Sequence, residues 1–177
     1  MRRKFAGLLL VLPLLAPQLA CAEAKELGVA HSIVIAAPAE RVWEVAGDFV
    51  GVPRWLTTIP SSRLVLGKNR EAGCIRELTR ANGTKVQEKL IEYDPWNMTM
   101  TYTYVGGQPL VSHYFATVKV TALDGARSRV DWSARFKRLD YWTEEPPPGQ
   151  EDETLVGLFN RIYSGGLESL RKVVEAQ

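Results

Sequence analysis

Cysteine is almost missing from the 177-residue chain, which holds only Cys21 and Cys74. Histidine is equally scarce, with His31 and His113 alone. Neither histidine stands at a metal-ligand spacing from a cysteine or carboxylate, and two histidines by themselves make no stable zinc site. Also missing are a glycine-rich phosphate loop, a dinucleotide fingerprint and a nucleophile elbow, which removes the reactions those motifs announce. No acid or base is singled out for catalysis. Long apolar runs are lacking too. The longest, Leu8 to Leu15, is broken by Pro13 and is too short to span a bilayer.

That run sits in a segment with its own logic. "MRRKFAGLLLVLPLLAPQLACAEA" starts basic, turns apolar and ends on the small-residue pattern Ala20-Cys21-Ala22, as a secretory leader does. Residues 1–22 are therefore expected to be a signal peptide cut after Ala22, leaving a soluble periplasmic protein without a membrane anchor. A lipid anchor on Cys21 is the competing reading, but that signal wants an aliphatic residue where Gln18 stands. Without Arg2, Arg3 and Lys4 the chain keeps 19 of its 22 Lys and Arg against 20 Asp and Glu, a net charge of −1. Nothing in that balance favours nucleic acid. Residues 23–177 suit a single domain with an ordinary core. Cys74 alone survives cleavage, so no intrachain disulfide can form; it reads as a small buried hydrophobe or, alternatively, as a reactive thiol.

The remaining chain reads as strand, short helices, many strands and one long helix. "AHSIVIAA" alternates as a strand. "APAERVWEVAGDF" carries Pro38 at a first-turn position and Val42, Trp43, Val45 and Ala46 on one helical face. "VGVPRWLTTIP" reads as a second short helix or turn. Six strands follow, at "SRLVLG", "CIRELTR", "KVQEKLIEY", "MTMTYTYV", "SHYFATVKVTAL" and "SRVDWSARFKRL". After the acidic loop "EEPPPGQEDE", the closing helix is expected from about Glu153 to Val174, with Leu155, Phe159, Ile162, Gly166, Leu170 and Val173 on its buried stripe. This pattern predicts an α+β fold, a seven-stranded antiparallel sheet curled around the last helix.

The pieces "AAPAERVWEVAGDF", "RELTRANGTKVQEKL", "VDWSARF" and "IYSGGLESL" resemble the SRPBCC or START-like superfamily, in particular its polyketide cyclase/dehydrase-type branch. The resemblance implies a helix-grip fold: a curved sheet wrapping the C-terminal helix, two short helices after the first strand, and a cavity between sheet and helix. Members that act as cyclases or dehydratases work largely by shaping that pocket. Gly165 and Gly166, each costing roughly 1 kcal/mol against alanine in a helix interior, then make room for a ligand or for close packing. Plain helix-on-sheet packing with no ligand explains them equally well.

Alternation places Tyr114, Ala116, Val118 and Val120 on one face, as it does Val130, Trp132, Ala134 and Phe136, and Met98, Met100, Tyr102 and Tyr104 against threonines. An Asn82-Gly83 two-residue turn would set Glu77 against Glu88. A three-residue loop, Ala81 to Gly83, instead pairs Arg76 with Glu88 and Leu78 with Val86. That register gathers Cys74, Arg76, Leu78, Val86, Glu88 and Leu90 inside. The inward Arg76–Glu88 pair is either a ligand anchor or a structural ion pair. Candidate cavity residues are Arg76, Glu88, Met100, Tyr102, Tyr104, Tyr114, Trp132, Phe136, Phe159 and Tyr163, the rings among them offering apolar bodies, several with a polar tip, to a small hydrophobic ligand.

An exported chain with this domain is also similar to the MxaD-type proteins of bacterial methanol oxidation. That resemblance implies a non-catalytic accessory role, promoting the interaction of methanol dehydrogenase with its c-type cytochrome acceptor; a periplasmic carrier using the cavity and a cyclase/dehydratase-like enzyme are the alternatives, and no cofactor is expected. Glu144, Glu145, Glu151, Asp152 and Glu153 are the candidate partner-binding residues, since transient redox contacts are electrostatically steered; otherwise they form a solvated loop.

Overall fold

The computed structural model describes residues 25–177; the expected leader, with Cys21, lies outside them. Strand β1 (Leu27–Ile35) leads through Pro38, which stands at the N-cap rather than inside the first turn, into helix α1 (Ala39–Ala46). Val42, Trp43, Val45 and Ala46 are buried as their spacing required. The second short helix reduces to a single 3-10 turn at Val52–Arg54, with Pro53 in its first turn, where a missing N–H costs no hydrogen bond. Strands β2 (Ser61–Leu66), β3 (Ile75–Thr79), β4 (Lys85–Asp94), β5 (Thr99–Gly107), β6 (Ser112–Ala122) and β7 (Ser128–Lys137) follow, and helix α2 runs Asp152–Glu175.

All seven strands form one antiparallel sheet in the order β1-β7-β6-β5-β4-β3-β2. The β3–β4 register is the expected one, with Arg76 opposite Glu88 and Leu78 opposite Val86. It is set by a loop in which Arg80 and Thr84 still pair across the ladder, closed by the Gly83 N–H on the Arg80 carbonyl. Gly83 adopts φ +82°, the left-handed conformation that a three-residue hairpin loop demands. Four bulges interrupt the ladders: Val65 is the extra residue between β2 and β3, Val105 the extra residue between β4 and β5, Ile91 the extra residue further along that pair, and His113-Tyr114 bulge β6 against β7. Bulges bend strands and sharpen twist, which lets the sheet fold round α2.

One face of the sheet is dry. Tyr114, Ala116, Val118 and Val120 are buried on β6, and Val130, Trp132, Ala134 and Phe136 on β7. Opposite them α2 buries Leu155, Phe159, Tyr163, Gly166, Leu167, Leu170 and Val174. That stripe is turned slightly from the expected one. Ile162 and Val173 are only half-buried, and Tyr163 is inside, because its hydroxyl finds the Tyr114 hydroxyl at 2.7 Å. The helix is tied to β1 by His31 Nε2 and Asn160 Oδ1 at 2.8 Å.

The two glycines separate cleanly. A Cβ on Gly166 would stand 2.9 Å from both Leu56 Cδ1 and Trp132 Cζ3 and 3.4 Å from Trp55, whereas one on Gly165 would meet nothing within 4 Å. Gly166 thus admits the segment after the 3-10 turn against the helix. It serves close packing and leaves the cavity to other residues. Cys74 is buried, and burial pushes its thiol above the ordinary range, as suits a small core residue.

Candidate functional site

Between α2, the segment after the 3-10 turn and the β3–β6 end of the sheet lies a cavity leaving about 90 Å³ free for the centre of a water-sized sphere. A single water needs only about 10–15 Å³ by that measure, so the space exceeds a packing defect. Its walls include Leu78 and Val86 from the hairpin, Tyr102 and Tyr104 from β5, Tyr114 and Trp132 from β6 and β7, and Phe159 and Tyr163 from α2. Thr58, Arg80, Tyr104, Leu110 and Ile162 are its less buried members and mark the mouth.

The aromatic wall is fixed by its own contacts. Trp132 stacks on Tyr163 with ring centroids 3.8 Å apart, Tyr104 stacks on Tyr114 at 4.1 Å, and Trp55 meets Trp132 edge-on at 5.4 Å. Trp132 Nε1 donates to the Tyr102 hydroxyl at 3.0 Å. Burial, first of all causes, pushes the Tyr102, Tyr104, Tyr114 and Tyr163 phenols above their usual range. They stay neutral, serving as weak donors and apolar surface and not as bases.

Arg76 and Glu88 also line this space and are almost wholly buried, their side chains 3% and 4% exposed. Arg76 Nε and Nη2 reach Glu88 Oε2 at 2.7 and 2.6 Å, and Nη1 donates to the Phe49 carbonyl. The guanidinium lies 3.9 Å from the Phe49 ring centroid and 5.1 Å from that of Tyr102. Every part of Arg76 is engaged, so the pair braces the wall of the cavity.

Eight of the ten candidate cavity residues therefore share one space, and two do not. Met100 pairs with Tyr93 and Val118 nearer the sheet end covered by Trp43, whose ring stacks on Tyr93 at 5.4 Å. Phe136 is sealed behind Phe159, stacked at 4.5 Å. Sequence reasoning placed Leu78, Val86 and Ile162 on inward faces without naming them for the cavity, and it missed Val52, Leu56, Thr58, Ile59, Arg80 and Leu110. Arg80 had a usable signal, since it shares the parity of Arg76 and Leu78. The loop residues carried none, because no periodicity governs them. The two histidines lie apart: His31 pairs with Asn160, and exposed His113 packs edge-on against Tyr141.

The acidic loop is less uniform than its composition. Glu144, Glu145, Glu151 and Glu153 are exposed, but Asp152 is half-buried and held by Lys25 at 3.3 Å and Arg138 at 3.7 Å. Glu151 precedes α2 and accepts from the Gly149 N–H at 2.9 Å.

A family model described as "Polyketide cyclase / dehydrase and lipid transport" matches residues 26–175. Among solved structures, protein XoxI from Bacillus cereus is 30% identical, covering 84% of this chain and 95% of its own with a TM-score of 0.71. The Streptomyces aromatase/cyclase ZhuI reaches the same TM-score of 0.71 at 19% identity, over 85% and 94% of the two chains, a likeness of fold alone. The abscisic acid receptor PYL6 of Arabidopsis thaliana is 24% identical over 144 residues, 80% of this chain but 66% of the receptor, just under two thirds of its length.

Proposed function

We propose, for a chain that belongs to the polyketide cyclase/dehydrase and lipid transport family, that its helix-grip cavity binds a small, largely apolar ligand without transforming it. One observation carries this reading: an aromatic-walled space with a half-buried mouth, larger than a water site and bounded by α2 and the sheet. Pockets of that character are the usual form of small-molecule sites. The case against turnover is chemical. The lining carboxylate, Glu88, is committed to Arg76, the phenols are held neutral by burial, and neither histidine lines the space. The leader expected at residues 1–22 gives this binder a periplasmic address.

Titration with naphthyl methanol, read by tryptophan fluorescence, tests the proposal. Val86→Phe places a ring into the space from β4 and is expected to abolish binding while the circular dichroism spectrum persists. Equal binding by the variant, or none by either protein, sinks the cavity as a ligand site.

A second reading rests on the exposed carboxylates beside α2. Here the protein is a periplasmic accessory in methanol oxidation that helps methanol dehydrogenase meet its cytochrome c, docking through Glu144, Glu145, Glu151 and Glu153. Asp152 is a poor member of such a patch, since Lys25 and Arg138 already neutralise it. Changing the four exposed residues to Gln should weaken stimulation of dehydrogenase-to-cytochrome electron transfer at low salt, where steering is strongest. Loss of stimulation in Val86→Phe with the loop variant intact would transfer that role to the cavity.

A further inference from the structure

Three charged side chains line the cavity: Arg76, Arg80 and Glu88. The first and last cancel each other at 2.6 Å. Arg80 is left over. Its Nη1 donates to Thr84 Oγ1 at 3.2 Å and to the Gln108 carbonyl at 2.8 Å, both uncharged acceptors. Its Nη2 is buried and has no hydrogen-bond partner. Among the described residues, the ion pairs of this hairpin join Glu88 to Arg76 and Glu77 to Arg63 and Lys85, and none reaches Arg80. The cavity wall therefore carries one net positive charge with an idle donor.

A buried donor without a partner costs free energy, and a cation withdrawn from water costs more unless an anion meets it. Arg80 is half-buried, so water at the mouth offsets part of that cost and an anion would offset more. Four of the other polar tips are occupied among themselves, Tyr114 with Tyr163 and Trp132 with Tyr102, and the Thr58 and Tyr104 hydroxyls that remain are uncharged. Arg80 is thus the charged group left to orient a ligand. A doubly charged headgroup would leave one charge unmatched and would face the Glu88 carboxylate across the same space. A singly charged, planar acceptor matches the guanidinium fork.

We infer that the cavity takes a monocarboxylic acid, its apolar body among the rings of Tyr104, Tyr114 and Phe159 and its carboxylate on Arg80 Nη2 at the mouth. Burial drives the Tyr104 hydroxyl upward, with Glu88 adding to it, while Arg80 acts in the opposite sense both through its charge and as a hydrogen-bond donor. The guanidinium therefore acts electrostatically on the ring that would flank the carboxylate.

This rests on the cavity being a ligand site, and the test separates the two claims. Two matched pairs serve as probes: naphthoate with naphthyl methanol, and octanoate with octanol. Each acid is expected to bind roughly tenfold or more tightly than its alcohol, the effect of one charge-assisted contact. The acid's advantage should shrink as salt rises and the alcohol's affinity should hold. In Arg80→Met the acid-to-alcohol ratio should fall to about one, and Arg80→Lys, which keeps the charge, should retain part of it. If Arg80→Met fails to fold, the salt series on the unaltered protein still decides. Acids and alcohols binding alike, with no salt dependence, overturns the carboxylate assignment and leaves the cavity reading standing. No binding of any probe overturns both. A preference confined to one pair identifies the body, ring or chain, that the walls accept and supports the assignment.

Discussion

Two ion-pair systems on the β3–β4 hairpin, one residue apart in the chain, face opposite ways. Arg76 and Glu88 meet in the dry interior, with side chains 3% and 4% exposed. Glu77, next to Arg76, meets Arg63 at 2.9 Å and Lys85 at 3.3 Å on the outer face, where those partners are 64% and 57% exposed although its own side chain is 11% exposed beneath them. The hydrogen bond from Gln87, ahead of Arg63, pulls the Glu77 carboxyl below its ordinary range. Outside, water and salt screen the two cations, and pairs with such exposed partners contribute little. Inside, both charges have given up hydration that only the partner replaces. Alternation along a strand thus turns one chemical motif into a brace on one face and a minor decoration on the other.

The largest break in this contrast comes from removing one inner partner. Glu88→Ala strands a buried guanidinium and is expected to cost about 3–5 kcal/mol, whereas the double change Arg76→Met with Glu88→Leu should recover most of that. Denaturant midpoints for the three proteins decide it, and a single-variant cost below about 1 kcal/mol would mean the pair is wet. Next in size is Gly166→Leu, which must displace Leu56 and Trp132 and is expected to lose about 1–3 kcal/mol. Gly165→Ala, in open space on the same helix, should gain up to about 1 kcal/mol. Both are read by thermal or denaturant unfolding, and opposite signs are the essential result.

Alkaline pH sharpens the comparison through the phenols. Unfolded tyrosines ionise near pH 10, while burial keeps Tyr102, Tyr114 and Tyr163 protonated in the fold beyond that point. The folded protein then holds more protons than the unfolded chain, so this contribution is complete below about pH 10 and is lost as pH rises further. Midpoints measured from about pH 8 to about pH 11 should be level and then fall; a level profile throughout would contradict the burial. Smallest is Glu77→Gln, expected to cost no more than about 1 kcal/mol at ordinary salt, against the severe Glu88 change one face away.

Much of this was legible in the sequence, and for identifiable reasons. The hairpin register could be read because only one pairing kept Glu77 away from Glu88, and the β6 and β7 faces because Tyr114 to Val120 and Val130 to Phe136 alternate without error. Gly166 announced a crowded site, but Leu56 and Trp55, which crowd it, approach from a segment with no periodicity. Bulges at Ile91, Val105 and His113 leave no pattern before the ladder is known. Met100 shows the limit of reasoning by face: it points inward with Tyr102, yet lies too far along β5 to reach the space.

The sheet order also bears on how the molecule comes into being. From β2 to β7 each strand lies beside its neighbour in the chain, so those ladders can zip by short loop closures. β1 is the exception: Leu27 waits for Phe136, and His31 for Asn160. The strand synthesised first is therefore among the last to find its partner, and no core can close until the C-terminal helix exists. Contacts so distant in sequence slow folding, and they hold the chain open until its last residues have appeared.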